Sequence, residues 1–87
     1  MWITGQVFDD RGEVLAGVSV EASGPAPIHR RSVMSNLEGQ YVLRDLPPGV
    51  YTITFSLPGY STLKRAAIDL SGYVATINAQ LQSRRMA

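Results

Sequence analysis

Residues 43–60 read LRDLPPGVYTITFSLPGY (Leu43–Tyr60), and the alternation inside this segment decides the fold. Tyr51, Ile53, Phe55 and Leu57 fall on one face of an extended chain, with Thr52, Thr54 and Ser56 on the other. β-Branched and aromatic residues at period two suit a strand that buries one face and wets the other. The strand is bracketed by Pro47-Pro48-Gly49 and by Pro58-Gly59. Prolines cannot donate hydrogen bonds within a ladder, so Pro47 and Pro48 belong outside the sheet. There they stiffen the crossing between strands and fix the register. A one-residue slip would turn the whole apolar set to solvent.

The same period recurs on both sides. Ile3, Gly5 and Val7 alternate with Thr4 and Gln6 near the start. Near the end, Tyr73, Ala75, Ile77, Ala79 and Leu81 face inward, and Val74, Thr76, Asn78 and Gln80 face outward. Turn chemistry separates these runs: DDRGE (Asp9–Glu13), the longer GPAP loop (Gly24–Pro27), NLEGQ (Asn36–Gln40) and LSGY (Leu70–Tyr73). The expected strands are 2–8, 15–22, 29–35, 40–44, 50–57, 61–69 and 73–81. Turns at this spacing with no intervening helix indicate an all-β sandwich. Leu63, Ala66, Ala67 and Leu70 fall at helical spacing. The segment between Pro58-Gly59 and Ser71-Gly72 is nevertheless short for a helix, and a strand, with room for a bulge, is favoured there over a short helix.

At 87 residues the chain holds one domain. A chain of this size buries roughly 60–65% of the surface its unfolded form exposes. It has no cysteine, which removes disulfides, thiol nucleophiles and thiolate metal sites. Eight basic residues against seven acidic ones give a net charge of +1, unlike a nucleic-acid or anionic-membrane binder. No stretch approaches the ~20 apolar residues of a membrane-spanning helix. The opening MWITGQVFDD lacks the basic and apolar regions of a signal peptide, so the expectation is a cytoplasmic protein or a piece of a longer exported chain.

Two segments, TGQVFDDRGEVLAGVSVEA (Thr4–Ala22) and SNLEGQYVLRDLPPGVYTITFSLPGY (Ser35–Tyr60), together resemble the carboxypeptidase regulatory-like domain. The pattern is carried by Gly5, Val7, Gly12, Leu15, Gly17-Val18, Val20, Gly39, Tyr41, Leu43, Leu46-Pro47-Pro48-Gly49, Tyr51, Ile53 and Gly59-Tyr60. Ser35-Asn36 stands where the family usually has Thr-Asp, a conservative change for a turn. The resemblance implies a seven-stranded, antiparallel-rich Greek-key β-sandwich of prealbumin-like (transthyretin-like) type over 1–83, with 84–87 as a C-terminal tail. It implies no enzymatic activity and no cofactor or metal. The C-terminal half, FSLPGYSTLKRAAIDLSGYVATINAQL (Phe55–Leu81), resembles versions at the N-terminus of bacterial TonB-dependent receptor-like outer-membrane proteins. By that resemblance the native chain is exported, and the domain lies at the periplasmic face of the outer membrane or outside the cell. Its expected partner is a neighbouring domain of the parent protein or another protein.

Specific chemistry finds little support in the residues. His29 is the only histidine, and the cations Arg30 and Arg31 beside it disfavour a role as a general base. Asp9, Asp10 and Glu13 offer hard oxygen ligands, but Arg11 interrupts them and a hairpin or Asx-type turn explains them better. Lys64 is the only lysine and falls in the sixth expected strand, whereas related adhesin sandwiches carry the lysine of an internal isopeptide bond in the first. An oligosaccharide is the alternative ligand. Sugar rings stack on exposed aromatics, and Trp2, Tyr60 and Tyr73 are the rings least committed to the core. Some starch-binding sandwiches share this general fold. Free edge strands leave self-association open, with Arg30, Arg31, Lys64 and Arg65 placed to guard them.

The expected core is Ile3, Val7, Leu15, Val18, Val20, Tyr41, Leu43, Leu46, Tyr51, Ile53, Phe55, Ile77 and Leu81. If this register is right, Tyr51→Ala and Phe55→Ala each cost about 3–5 kcal/mol. Chemical denaturation giving under about 1 kcal/mol for both would break it.

Overall fold

A computed structural model describes residues 2–24, 30–71 and 74–83, with the backbone alone described at Arg30. His29 and Tyr73 lie outside the described residues. Eight strands follow in chain order: β1 (Trp2–Phe8), β2 (Ser19–Ser23), β3 (Arg30–Met34), β4 (Gln40–Leu43), β5 (Gly49–Ser56), β6 (Leu63–Leu70), β7 (Val74–Thr76) and β8 (Ala79–Gln80). One sheet is ordered β4-β1-β7, with β8 also on β1, and the other β3-β2-β5-β6. The second sheet is antiparallel throughout. In the first, β1 is antiparallel to β4 but parallel to β7 and β8.

The inner faces meet over one core. Eleven of the thirteen residues expected there are fully buried, while Leu15 and Ile77 are partly so. Tyr41 and Phe55, one from each sheet, pack edge to face at 5.7 Å between ring centroids. Burial alternates cleanly along β5, so the register set by LPPG holds. The Tyr51 hydroxyl donates to the Pro47 carbonyl at 2.6 Å, tying the proline crossing to the core below it.

Two differences from the sequence reading, and one feature it allowed for, have local causes. The second strand starts at Ser19, not at 15. Residues 15–18 are held instead by Ser35, whose hydroxyl donates to the Leu15 carbonyl and accepts from the Val18 N–H. The segment 63–70 is the favoured strand, and it carries a bulge: Ile53 pairs with Arg65 and Tyr51 with Ile68, so Ala66 and Ala67 together face the single residue Thr52. Ala67 takes φ 60°, a left-handed conformation unusual for a residue with a Cβ. The extra residue resets the alternation, burying Leu70 and turning Asp69 to solvent. Finally, the expected strand 73–81 is broken into β7 and β8 at Ile77-Asn78.

That break has a visible reason. The Ile77 carbonyl points at Gly5, and a Cβ built there would lie 1.8 Å from its oxygen. The Tyr41 hydroxyl donates to the same carbonyl from inside the sandwich. Gly5 is needed for close approach, where no side chain fits. Gly39 answers a different demand: its φ is +76°, and a Cβ would meet the Val7 carbonyl oxygen at 2.6 Å.

Gly5→Ala is therefore expected to lower stability by about 1–3 kcal/mol or more, because the carbonyl must move off its tyrosine. Urea denaturation measures this. A loss within about 0.5 kcal/mol, the range of an indifferent surface change, would show that the junction is loose.

Candidate functional site

The sandwich has two ends and one open side, and the candidate residues distribute among them. At the starting end of β1, Trp2 is 44% exposed on the outer face of its sheet. Val74 pairs with it on one side. Arg44, one step beyond the Ile3–Leu43 pair on the other side, sets its guanidinium carbon 5.1 Å from the Trp2 ring centroid. This cation–π contact holds the indole and leaves it partly open to solvent. The next outward positions on β1 are Thr4 and Gln6, partly exposed and already bonded to the Tyr41 and Glu38 carbonyls.

Tyr60 is at the opposite end. It is half-buried against the core, its N–H donates to the Leu57 carbonyl at 3.0 Å, and its backbone bridges to Ser83. Because β8 pairs with Val7 and Phe8, Ser83 lies beyond the far end of β1. Six residues of strand at about 3.3 Å each put roughly 20 Å between this end and Trp2. The fold does not bring Trp2 and Tyr60 together, and Tyr73 lies outside the described residues.

Around Tyr60 the acidic turn serves the backbone. One Asp9 carboxylate oxygen accepts from the Arg11 and Glu13 N–H groups, an Asx-type turn. Asp10 accepts from both the hydroxyl and the N–H of Ser83. These bonds hold the Asp10 carboxyl below its ordinary pKa. Among the described residues, no three acidic or histidine side chains gather as a metal would require.

The same end carries apolar surface that sequence reading did not single out. Val14 is 42% exposed, Met34 68% and Leu37 84%. They belong to segments 14–18 and 34–39, bound together by Gly17 N–H to Ser35 carbonyl and by both Ser35 hydroxyl bonds. Single apolar residues in turns or at a strand end carry no periodic signal, so only their exposure at one end of the fold makes them notable.

The open side lies between β6 and the β1–β8 pair. Phe8, Arg65, Asn78, Ala79 and Gln80 line a shallow cleft of about 260 Å³ there. Arg65 pairs with the inward-facing Ile53, so its side chain runs toward the sandwich edge, where its guanidinium reaches the Asn78 carbonyl at 3.5 Å. An inward-pointing charge beside a bulge is a device that discourages strand addition.

The carboxypeptidase regulatory-like domain matches residues 2–82. The chain belongs to the carboxypeptidase regulatory-like domain family. Colossin-A of Dictyostelium discoideum is 28% identical over an alignment of 81 residues, covering 83% of this chain and 1% of that protein. Among solved structures, a chain in a type II cohesin–X-dockerin complex from Acetivibrio cellulolyticus superposes with TM-score 0.79 at 17% identity, over 95% of this chain and 58% of that one. A putative carbohydrate-binding protein from Bacteroides uniformis gives 0.73 at 12% identity, over 92% and 40%. Catechol 1,2-dioxygenase from Pseudomonas arvilla C-1 gives 0.75 at 16%, over 99% and 53%. At these identities the likeness is one of fold alone. The chain thus spans 1% of its curated relative and between 40% and 58% of these structural ones. Carboxypeptidase regulatory-like domains are non-catalytic, and the cleft by Arg65 is an edge feature of such a domain.

Burial pushes the Tyr41 hydroxyl well above the ordinary tyrosine range, with Arg65 opposing weakly, and burial raises Tyr51 in the same direction. An unfolded tyrosine loses its proton near pH 10 while the buried one keeps it, so the unfolded state binds fewer protons above that pH. The tyrosines' contribution to stability should be flat below about pH 10 and fall as pH rises beyond it. Tyr41→Phe, though less stable at neutral pH, should flatten that fall. Urea midpoints measured from pH 8 to 11.5 test this, and an unchanged alkaline slope in the variant would place the titration elsewhere.

Proposed function

We infer that this domain is a non-catalytic accessory module of a larger protein, and that its loop end docks against the domain that follows it in the chain. One observation carries the reading. Val14, Met34 and Leu37 are exposed at the same end from which the backbone leaves through Gln82 and Ser83. Apolar side chains at a chain exit suit a neighbour held there at high effective concentration, which makes even a small interface productive. The fractional coverage of Colossin-A and of the structural relatives agrees with a module inside longer proteins. The resemblance of residues 55–81 supports a bacterial, exported, TonB-dependent receptor-like parent, with the domain at the periplasmic face of the outer membrane or outside the cell.

Oligosaccharide binding is the second reading. It rests on Trp2, an exposed indole on a sheet face with the hydroxyl of Thr4 and the amide of Gln6 at the next outward positions. Tyr60 stands too far away to share a ligand with Trp2.

Amide-resolved NMR separates the two. Adding the remainder of the parent chain as a separate polypeptide should shift residues 14–18 and 34–39, and Leu37→Asp should weaken the effect at least tenfold, about 1.4 kcal/mol. Shifts confined to the surroundings of Trp2 upon titration with oligosaccharides, with silence at the loops, would replace docking by glycan recognition.

A further inference from the structure

The first and last strands of the domain form one parallel ladder. Trp2 pairs with Val74, Ile3 with Ala75, Thr4 with Thr76, Val7 with Ala79 and Phe8 with Gln80, the same offset of 72 positions throughout. The break at Ile77-Asn78 therefore leaves the register untouched. Side chains and backbone bridge it: Ile77 N–H donates to the Thr4 carbonyl at 2.8 Å, and Gln6 N–H to the Asn78 side-chain oxygen at 3.0 Å. The Tyr41 hydroxyl holds the Ile77 carbonyl against Gly5. Beyond the ladder, Leu81 N–H bonds the Phe8 carbonyl and Ser61 N–H the Gln82 carbonyl, each at 2.8 Å. The Ser83 hydroxyl then bonds Asp10 at 2.9 Å.

Parallel pairing places the start of β1 and the end of β8 at opposite ends of the ladder. A pull between the two termini draws these strands past each other. Every bond of the ladder then resists together, because the load runs along the strands and the bonds lie across it. An antiparallel pair pulled from one end opens bond by bond instead. β1 and β4 offer that contrast in the same molecule, since Ile3 pairs with Leu43 and the two strands meet at the Trp2 end.

We propose that the domain is a tension-bearing link, in which the parallel ladder of β1 with residues 74–81, pinned at the Gly5–Ile77–Tyr41 junction, carries load between its two termini in shear. This rests on the module reading for the domain that follows, and it further requires an anchor ahead of β1; the mechanical anisotropy belongs to the domain by itself. The absence of cysteine makes the test direct, as an introduced thiol gives a unique handle.

The full chain would be stretched in optical tweezers in two geometries at one loading rate: from its N- and C-termini, and from its N-terminus and a cysteine at Asp45→Cys. Forced rupture reports the barrier to unfolding rather than equilibrium stability. The expected result is a several-fold higher rupture force between the termini. Asn78→Ala, at an exposed position, should lower that force and leave the N-terminus-to-45 force unchanged. Equal forces in the two geometries would overturn the proposal, as would an Asn78→Ala variant that weakens both alike. Neither result bears on docking at Val14, Met34 and Leu37, so the two readings fail separately.

Discussion

The meeting of Gly5, Ile77 and Tyr41 is the constraint on which much of the remaining architecture depends. A backbone carbonyl is turned into the sandwich, where leaving it without a partner would cost about 1–3 kcal/mol. The Tyr41 hydroxyl supplies that partner, and no buried side-chain polar atom among the described residues is left unsatisfied. The carbonyl fits only because residue 5 has no side chain. From this contact the register of the terminal strands, the interruption between β7 and β8, and the place of the Tyr41 ring against Phe55 all follow.

A second constraint acts across the molecule. The bulge at Ala66-Ala67 shifts the alternation of β6 by one, which buries Leu70 beside Gly49 and frees Asp69. It also leaves Arg65 pointing to the sandwich edge ahead of the shift. The open side is thereby closed with a charge where a continuous strand would have offered an inviting edge. The two ends are left as the surfaces with character: Trp2 beneath Arg44 at one, and the apolar loop residues beside the chain exit at the other. A small sandwich with capped sides and distinctive ends is well shaped to sit in line with other domains.

Much of the fold is legible in the sequence because period two and turn chemistry are local properties. Tyr51, Ile53 and Phe55 announce their face by alternation, and Pro47-Pro48-Gly49 announces the crossing that sets it. The bulge was also foreshadowed, since Leu63, Ala66, Ala67 and Leu70 fit neither a clean strand nor a comfortable helix. Leu15 reads as core but lies in a segment held by Ser35, and its burial is partial. Ala22 and Ala79 are fully or nearly buried yet carry too little apolar surface to stand out in a linear reading.

The sequence by itself determined the class of fold, the strand faces and the family, because those depend on neighbours in the chain. Tertiary structure alone decided which strands run parallel, that Trp2 and Tyr60 stand at opposite ends, and that Val14, Met34 and Leu37 are all exposed at one end. The physical reason is separation along the chain. Gly5 and Ile77 are 72 positions apart, and nothing local in either residue says that the carbonyl of one will occupy the space where the other lacks a side chain.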